Sequence, residues 1–139
     1  MKLFQIEEPD GTPVDPETPG AAVGIDLRGT EAAVAVSVGG NAEILADRDG
    51  FELSLGVPPP EAAAAEWELL FEGARLRAER ALSRPVTHAA IALAAAPDAA
   101  LREKIERAAE AAGLSLLRLA AGMTAGEAAI LAEDLAPRF

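Results

Sequence analysis

From residue 21 onward, the apolar positions change period along the chain. Ala21 to Ile25 is an apolar run that leads into Asp26 and Leu27, and residues 21–27 have the pattern of a buried strand. Ala32 to Val38 alternates small and β-branched side chains, which predicts a second strand. Gly39-Gly40-Asn41 accepts positive φ and predicts a hairpin turn. Ala42 to Ala46 is the third strand. Asp49-Gly50 turns again, and Phe51 to Val57 is a short optional fourth strand that Pro58-Pro59-Pro60 stops.

The period then becomes helical. Ala63, Trp67, Leu70, Phe71, Ala74, Ala78 and Ala81 share one stripe, predicting a helix from about Glu61 to Leu82 that Pro85 ends. Thr87 to Leu93 is a strand. Asp98 is a good N-cap for a helix with Leu101, Ile105, Ala108, Ala109 and Ala112 inside and Gly113 just past its end. Ser115 to Leu119 is another strand. Thr124-Ala125-Gly126-Glu127 is a capping box that opens a last helix, closed by Pro137. The expected order is βββ(β)αβαβα: an α/β domain with a mixed sheet and helices on its faces.

Before that domain, residues 8–20 hold four prolines and two glycines, so residues 1–20 are expected to be a flexible leader and residues 21–139 a single domain. The N-terminus lacks the apolar core of a signal peptide, and no run of apolar residues is long enough to span a membrane. A soluble cytoplasmic protein is expected. Net charge is −11, from 12 Lys+Arg against 23 Asp+Glu, without a basic stripe. A phosphate backbone repels such a surface, so nucleic acid is not an expected partner. Cysteine is absent, which removes disulfides and thiolate ligation by this chain. His88 is the lone histidine and reads as a strand-end residue rather than a base. No metal-ligand spacing, nucleophile elbow or phosphate-binding Gly-x-x-x-x-Gly-Lys motif occurs, so no metal and no cofactor are expected.

Candidate chemistry is confined to the loop after the first strand. Val23-Gly24-Ile25-Asp26-Leu27 matches the V-G-I-D-L of heat-shock 70 chaperones. Asn41 to Asp47 is similar to their strand after the hairpin, Pro85 to Ile91 to their P-V-T-x-A-V-I, and Ala112 to Leu119 to their A-G-L-x-V-L-R-L. The opening Leu3-Phe4-Gln5-Ile6-Glu7-Glu8-Pro9 is similar to the leader of the iron–sulfur-assembly branch, heat-shock cognate A. The chain therefore resembles the first lobe of that family over nearly its whole length, with a small outer subdomain missing near Pro58–Pro60. The resemblance implies a ribonuclease-H-like, actin-like ATPase half-domain. It also implies that a second phosphate loop, the adenosine pocket and a peptide-binding domain would lie beyond Phe139.

The departures from the family pattern concern nucleotide. The family loop D-L-G-T-T-N-S is here Asp26-Leu27-Arg28-Gly29-Thr30-Glu31-Ala32. Arg28 replaces the glycine that lets backbone approach a phosphate. Gly29 loses a hydroxyl, Thr30 is kept, and Glu31 adds negative charge. Arg28 could bind an anion or pair with Asp26 or Glu31. The family's V-P-A-Y-F switch segment is Leu93-Ala94-Ala95-Ala96-Pro97, and its N-E-P-T is Ala121-Gly122-Met123-Thr124, without the carboxylate near magnesium. The family's catalytic lysine belongs to the missing subdomain. Asp26, Arg28, Gly29 and Thr30 thus read as a degenerate phosphate loop, and no enzyme activity is expected.

Three functional classes remain open: a catalytically inactive chaperone-like module that binds protein, one half of a split ATP-binding chaperone, and a structural subunit. The last helix, about Thr124 to Leu135, is apolar around nearly its whole circumference. Ala125, Ala128, Ala129, Ala132 and Leu135 are the candidate interface. Its occupant is a second copy in a two-fold homodimer, a different protein, or the chain's own sheet.

Overall fold

The computed structural model describes residues 21–45 and 55–136. Their elements follow the expected order: β1 (Ala21–Asp26), β2 (Ala33–Val38), β3 (Asn41–Leu45), α1 (Ala64–Leu82), β4 (Val86–Leu93), α2 (Ala99–Ala111), β5 (Ser115–Ala121) and α3 (Ala125–Leu135). The leader, most of the optional fourth strand and Pro137 lie outside the described residues. Of that fourth strand, Gly56 makes an isolated antiparallel bridge to Glu31.

The five strands form one mixed sheet in the order β3-β2-β1-β4-β5. β1 pairs antiparallel with β2 and parallel with β4, and β4 pairs parallel with β5. The βα units thus extend the sheet from one side of β1 and the hairpin from the other. Gly39 and Gly40 turn the hairpin at φ 63 and 83, the left-handed region that glycine adopts without a Cβ penalty.

Two unlike layers cover the sheet. On one face Val23, Ile25, Val34, Val36, Val86 and Ile91 pack with Trp67, Phe71 and Ile105 of α1 and α2. On the other, Ala22, Ala35 and Ala90 meet Ala125, Ala128, Ala129 and Ala132 of α3. Gly24 sets this second spacing, because a Cβ there would collide with the backbone of Ala128 and Ala129.

The helix ends follow local chemistry. The Asp98 carboxylate accepts from the Leu101 backbone N–H at 2.8 Å, and Leu114 N–H donates to Ala109 O at 2.8 Å across Gly113, which closes α2 in a Schellman motif. The Thr124 hydroxyl accepts from Glu127 N–H at 3.1 Å while Glu127 Oε1 accepts from Thr124 N–H at 2.9 Å, the reciprocal capping box. α1 begins at Ala64 rather than near Glu61, after a turn in which Ala62 N–H donates to Pro59 O, and no side chain caps it. Its stripe is also shorter than the spacing predicts: Trp67, Leu70, Phe71, Ala74 and Ala78 are buried, while Ala63 and Ala81 are exposed.

Candidate functional site

β1, β4 and β5 run parallel and end at Asp26, Leu93 and Ala121, so their carboxyl ends open on one side of the sheet. That edge is where parallel α/β sheets place ligands, because loops and helix N-termini converge there. Asp26 is the buried charged residue among those described. Leu27 N–H donates to Ala92 O at 2.8 Å and holds the chain in register one residue past the strand.

The chain then folds back on the Asp26 carboxylate. Arg28 N–H donates to Asp26 Oδ1 at 2.9 Å, Arg28 Nε donates to the same oxygen at 2.9 Å, and Arg28 Nη2 donates to Oδ2 at 2.9 Å. Both carboxylate oxygens are therefore engaged, in the bidentate geometry that gives arginine–carboxylate pairs their strength and direction. The hydrogen bond to Asp26 raises the Arg28 pKa above the usual arginine value, and the negative charge of Glu127 adds to it. Of the two partners open to Arg28, the structure selects Asp26. The additional negative charge acting on Arg28 is that of Glu127, whereas Glu31 bridges to Gly56.

Gly29 and Thr30 follow as exposed loop residues. A Cβ at Gly29 would lie 3.7 Å from Glu31 O, an ordinary contact, so the backbone leaves room for a non-glycine residue here. Thr30 O accepts from Val57 N–H at 2.9 Å and Ala32 N–H donates to Leu55 O at 2.7 Å, which pins the loop to the segment that precedes α1. At the end of β5, Gly122 sits at φ 89 with nothing within 4 Å of a would-be Cβ. There is room for a carboxylate-bearing side chain at Gly122, but the backbone conformation disfavours one.

His88 is on β4, away from this edge. Its Nδ1 lies 2.8 Å from Thr87 Oγ1, and burial lowers its pKa below 6.5. Among the described residues, no three His, Cys, Asp or Glu side chains gather as a metal site.

The candidate interface on α3 is corrected by the structure. Ala125, Ala128, Ala129 and Ala132 face the chain's own sheet and are buried by it, so a second helix cannot reach them; only Leu135 of the five is exposed. Of the three occupants open for that face, the chain's own sheet is the one present. Gly24, Ala22, Ala35 and Ala90 supply a surface small enough for an alanine helix to cover.

One α3 residue has a role that its spacing does not reveal. Glu133 Oε1 accepts from Ser37 Oγ at 2.8 Å and from Gly40 N–H at 2.9 Å, while Oε2 accepts from Gly39 N–H at 2.7 Å. The two glycine N–H groups converge on one carboxylate and clasp the β2–β3 turn to α3. The glycine pair is a sequence signal for converging amides, but Glu133 is too distant in the chain to be recognised as their acceptor.

Comparison with known proteins finds no matching family model and no matching curated protein. No helix among the described residues is long and apolar enough to cross a membrane.

Proposed function

We propose that this chain is a catalytically inactive, chaperone-like interaction module: a pseudo-ATPase lobe of the ribonuclease-H-like, actin-like class that works by binding protein. The fold part of this reading is supported by the element order β1-β2-β3-α1-β4-α2-β5-α3, the order that the resemblance to heat-shock 70 first lobes implies.

The observation that carries the functional part is the Arg28–Asp26 pair. In the resemblance, Asp26 is the carboxylate at the phosphate loop, and the position of Arg28 belongs to a glycine. Here both Asp26 oxygens accept from Arg28. A magnesium-bound phosphate at this edge would have to displace three hydrogen bonds and would gain one carboxylate. Phosphoryl transfer needs several charges converging on the transferred group, supplied by metal ligands and cationic side chains. The similarity of Leu3 to Pro9 to the iron–sulfur-assembly branch directs the search for a partner to that machinery.

Isothermal titration with Mg-ATP tests this reading. The expected result is no heat of binding at micromolar nucleotide and no phosphate release. Micromolar affinity with turnover would replace the proposal with a split ATPase completed by another chain. Arg28→Gly is expected to uncover Asp26 without producing turnover, because Gly122 still supplies no carboxylate.

A further inference from the structure

β5 closes one side of the sheet, and no described residue pairs with its outer edge. Gly122 N–H donates to Leu93 O of β4 at 3.3 Å, so the preceding carbonyl, that of Ala121, points away from β4. Alternation along the strand turns the N–H and C=O of Leu119 outward as well. A groove of about 310 Å³ runs beside this edge, between β5 and α2. Leu116 and Leu119 contribute to its β5 side, and Arg102, Glu106 and Glu110 to its α2 side. The three charged residues are exposed and follow one another at four-residue steps, on one line of the helix. None of them is held in an ion pair within the described residues.

We propose that this groove binds an extended peptide, added as a strand to β5, whose groove-facing side chains are acidic, basic and basic in turn. A free strand edge with a helix beside it supplies what strand addition needs: main-chain partners for affinity, and a wall that meets every second side chain. The two repeats match. Four residues of α2 advance about 6 Å, and two residues of a strand advance about 6.6–6.8 Å. Successive groove-facing side chains of the peptide therefore meet Arg102, Glu106 and Glu110. α2 returns the chain between the parallel strands β4 and β5, so it runs antiparallel to them and places Arg102 toward the carboxyl end of β5. A peptide antiparallel to β5 thus carries acidic-x-basic-x-basic from its amino end. The net charge of −11 favours such a partner over a second copy, which would bring the same charge to the contact. The bulge at Leu117 confines regular pairing to the carboxyl half of β5, where Leu119 and Ala121 offer their main chain. Peptide capture at β5 gives the protein-binding part of the proposed function a surface, and it rests on that reading.

Fluorescence anisotropy on the full chain is the test, with a labelled heptapeptide in which threonines alternate with glutamate, lysine and lysine, in that order. So small an interface is expected to give a Kd of about 10–1,000 μM. Exchanging the glutamate for lysine and both lysines for glutamate is expected to weaken binding about tenfold, because three attractive pairs become repulsive. N-methylation of the peptide's backbone amides removes its strand donors, keeps every charge and is expected to abolish binding. Glu106→Arg combined with Glu110→Arg, both at exposed positions, is expected to reverse the preference between the two charge patterns at an unchanged melting temperature. Hydrogen exchange should show the Leu119 and Ala121 amides gaining protection when the peptide is bound. An absence of saturable binding up to about 1 mM peptide overturns the proposal. So does equal affinity for the two charge patterns, retained binding of the N-methylated peptide, or protection confined to elements other than β5 and α2. Peptide binding and nucleotide titration are separate measurements on the same wild-type chain, so either can fail without the other.

Discussion

Arg28 and Trp67 show how a single side chain sets a local balance. Arg28 satisfies its own strand-end carboxylate within two residues, a contact that chain proximity makes accessible and that the order Asp26-Leu27-Arg28 offers only as one alternative beside Glu31 and an external anion. Trp67 is nearly fully buried against Phe71, with ring centroids 6.2 Å apart, but its indole Nε1 has no hydrogen-bond partner. An unsatisfied buried donor offsets part of the gain from burying the ring. Trp67→Phe, which removes the donor and keeps an aromatic ring, is therefore expected to cost under about 1.5 kcal/mol, against about 3–5 kcal/mol for Trp67→Ala. Urea unfolding monitored by circular dichroism distinguishes the two. His88 gives a pH signature of definite sign. Burial lowers its folded pKa below 6.5, so the unfolded chain binds the proton more readily. Its contribution is fully present above the unfolded value and is lost as pH falls through the lowered folded value. Comparing His88→Gln with wild type by thermal melts between about pH 7.5 and pH 5 isolates it: the wild type is expected to lose more stability on acidification than the variant.

At the scale of elements, the helix and strand assignments were legible wherever a local signal decides them. The switch from period two to helical spacing, Asp98 before α2, Gly113 after it and the Thr124–Glu127 box each act within a few residues. The start of α1 was not legible, because no capping side chain marks it and the alanines at residues 62–65 suit helix and turn alike. Nor was the inner face of α3. Its apolar side chains surround the helix, so periodicity could not say which side the sheet would take. The clasp of the hairpin by Glu133 depends on tertiary placement. Glu133→Ala removes three hydrogen bonds to a charged acceptor and is expected to destabilise the domain by about 1.5–3 kcal/mol. Hydrogen exchange should show the Gly39 and Gly40 amides losing protection while those of β4 keep theirs. The opposite result would place the hairpin's stability in β2 and β3 alone.

For the molecule as a whole, the residues of the candidate site's local half, Asp26 and Arg28, were legible while the choice between Asp26 and Glu31 as partner was not, and the remote half, where the charge of Glu127 acts on Arg28 from α3, was not legible at all. The two unlike layers on either side of the sheet have a consequence for how the sequence can vary. Toward α1 and α2 the core is made of large side chains, Val23, Ile25, Trp67, Phe71, Ile91 and Ile105. Toward α3 it is made of glycine and alanine, with helix backbone lying directly on β1 at Gly24. A saturation scan of every position should therefore divide the domain into halves with opposite vulnerabilities. On the α1 side, truncation leaves voids, and losses should grow with the volume removed, to about 3–5 kcal/mol for the largest residues. On the α3 side there is little to truncate, and enlargement is the damaging change. Gly24→Ala and Ala129→Val should each cost at least the roughly 1–3 kcal/mol typical of overpacking, and Gly24→Ala more, since backbone rather than a movable side chain stands in its way. The change that does most damage would thus be loss of volume on one face of the sheet and gain of volume on the other, and neutral variation would carry that asymmetry as a signature.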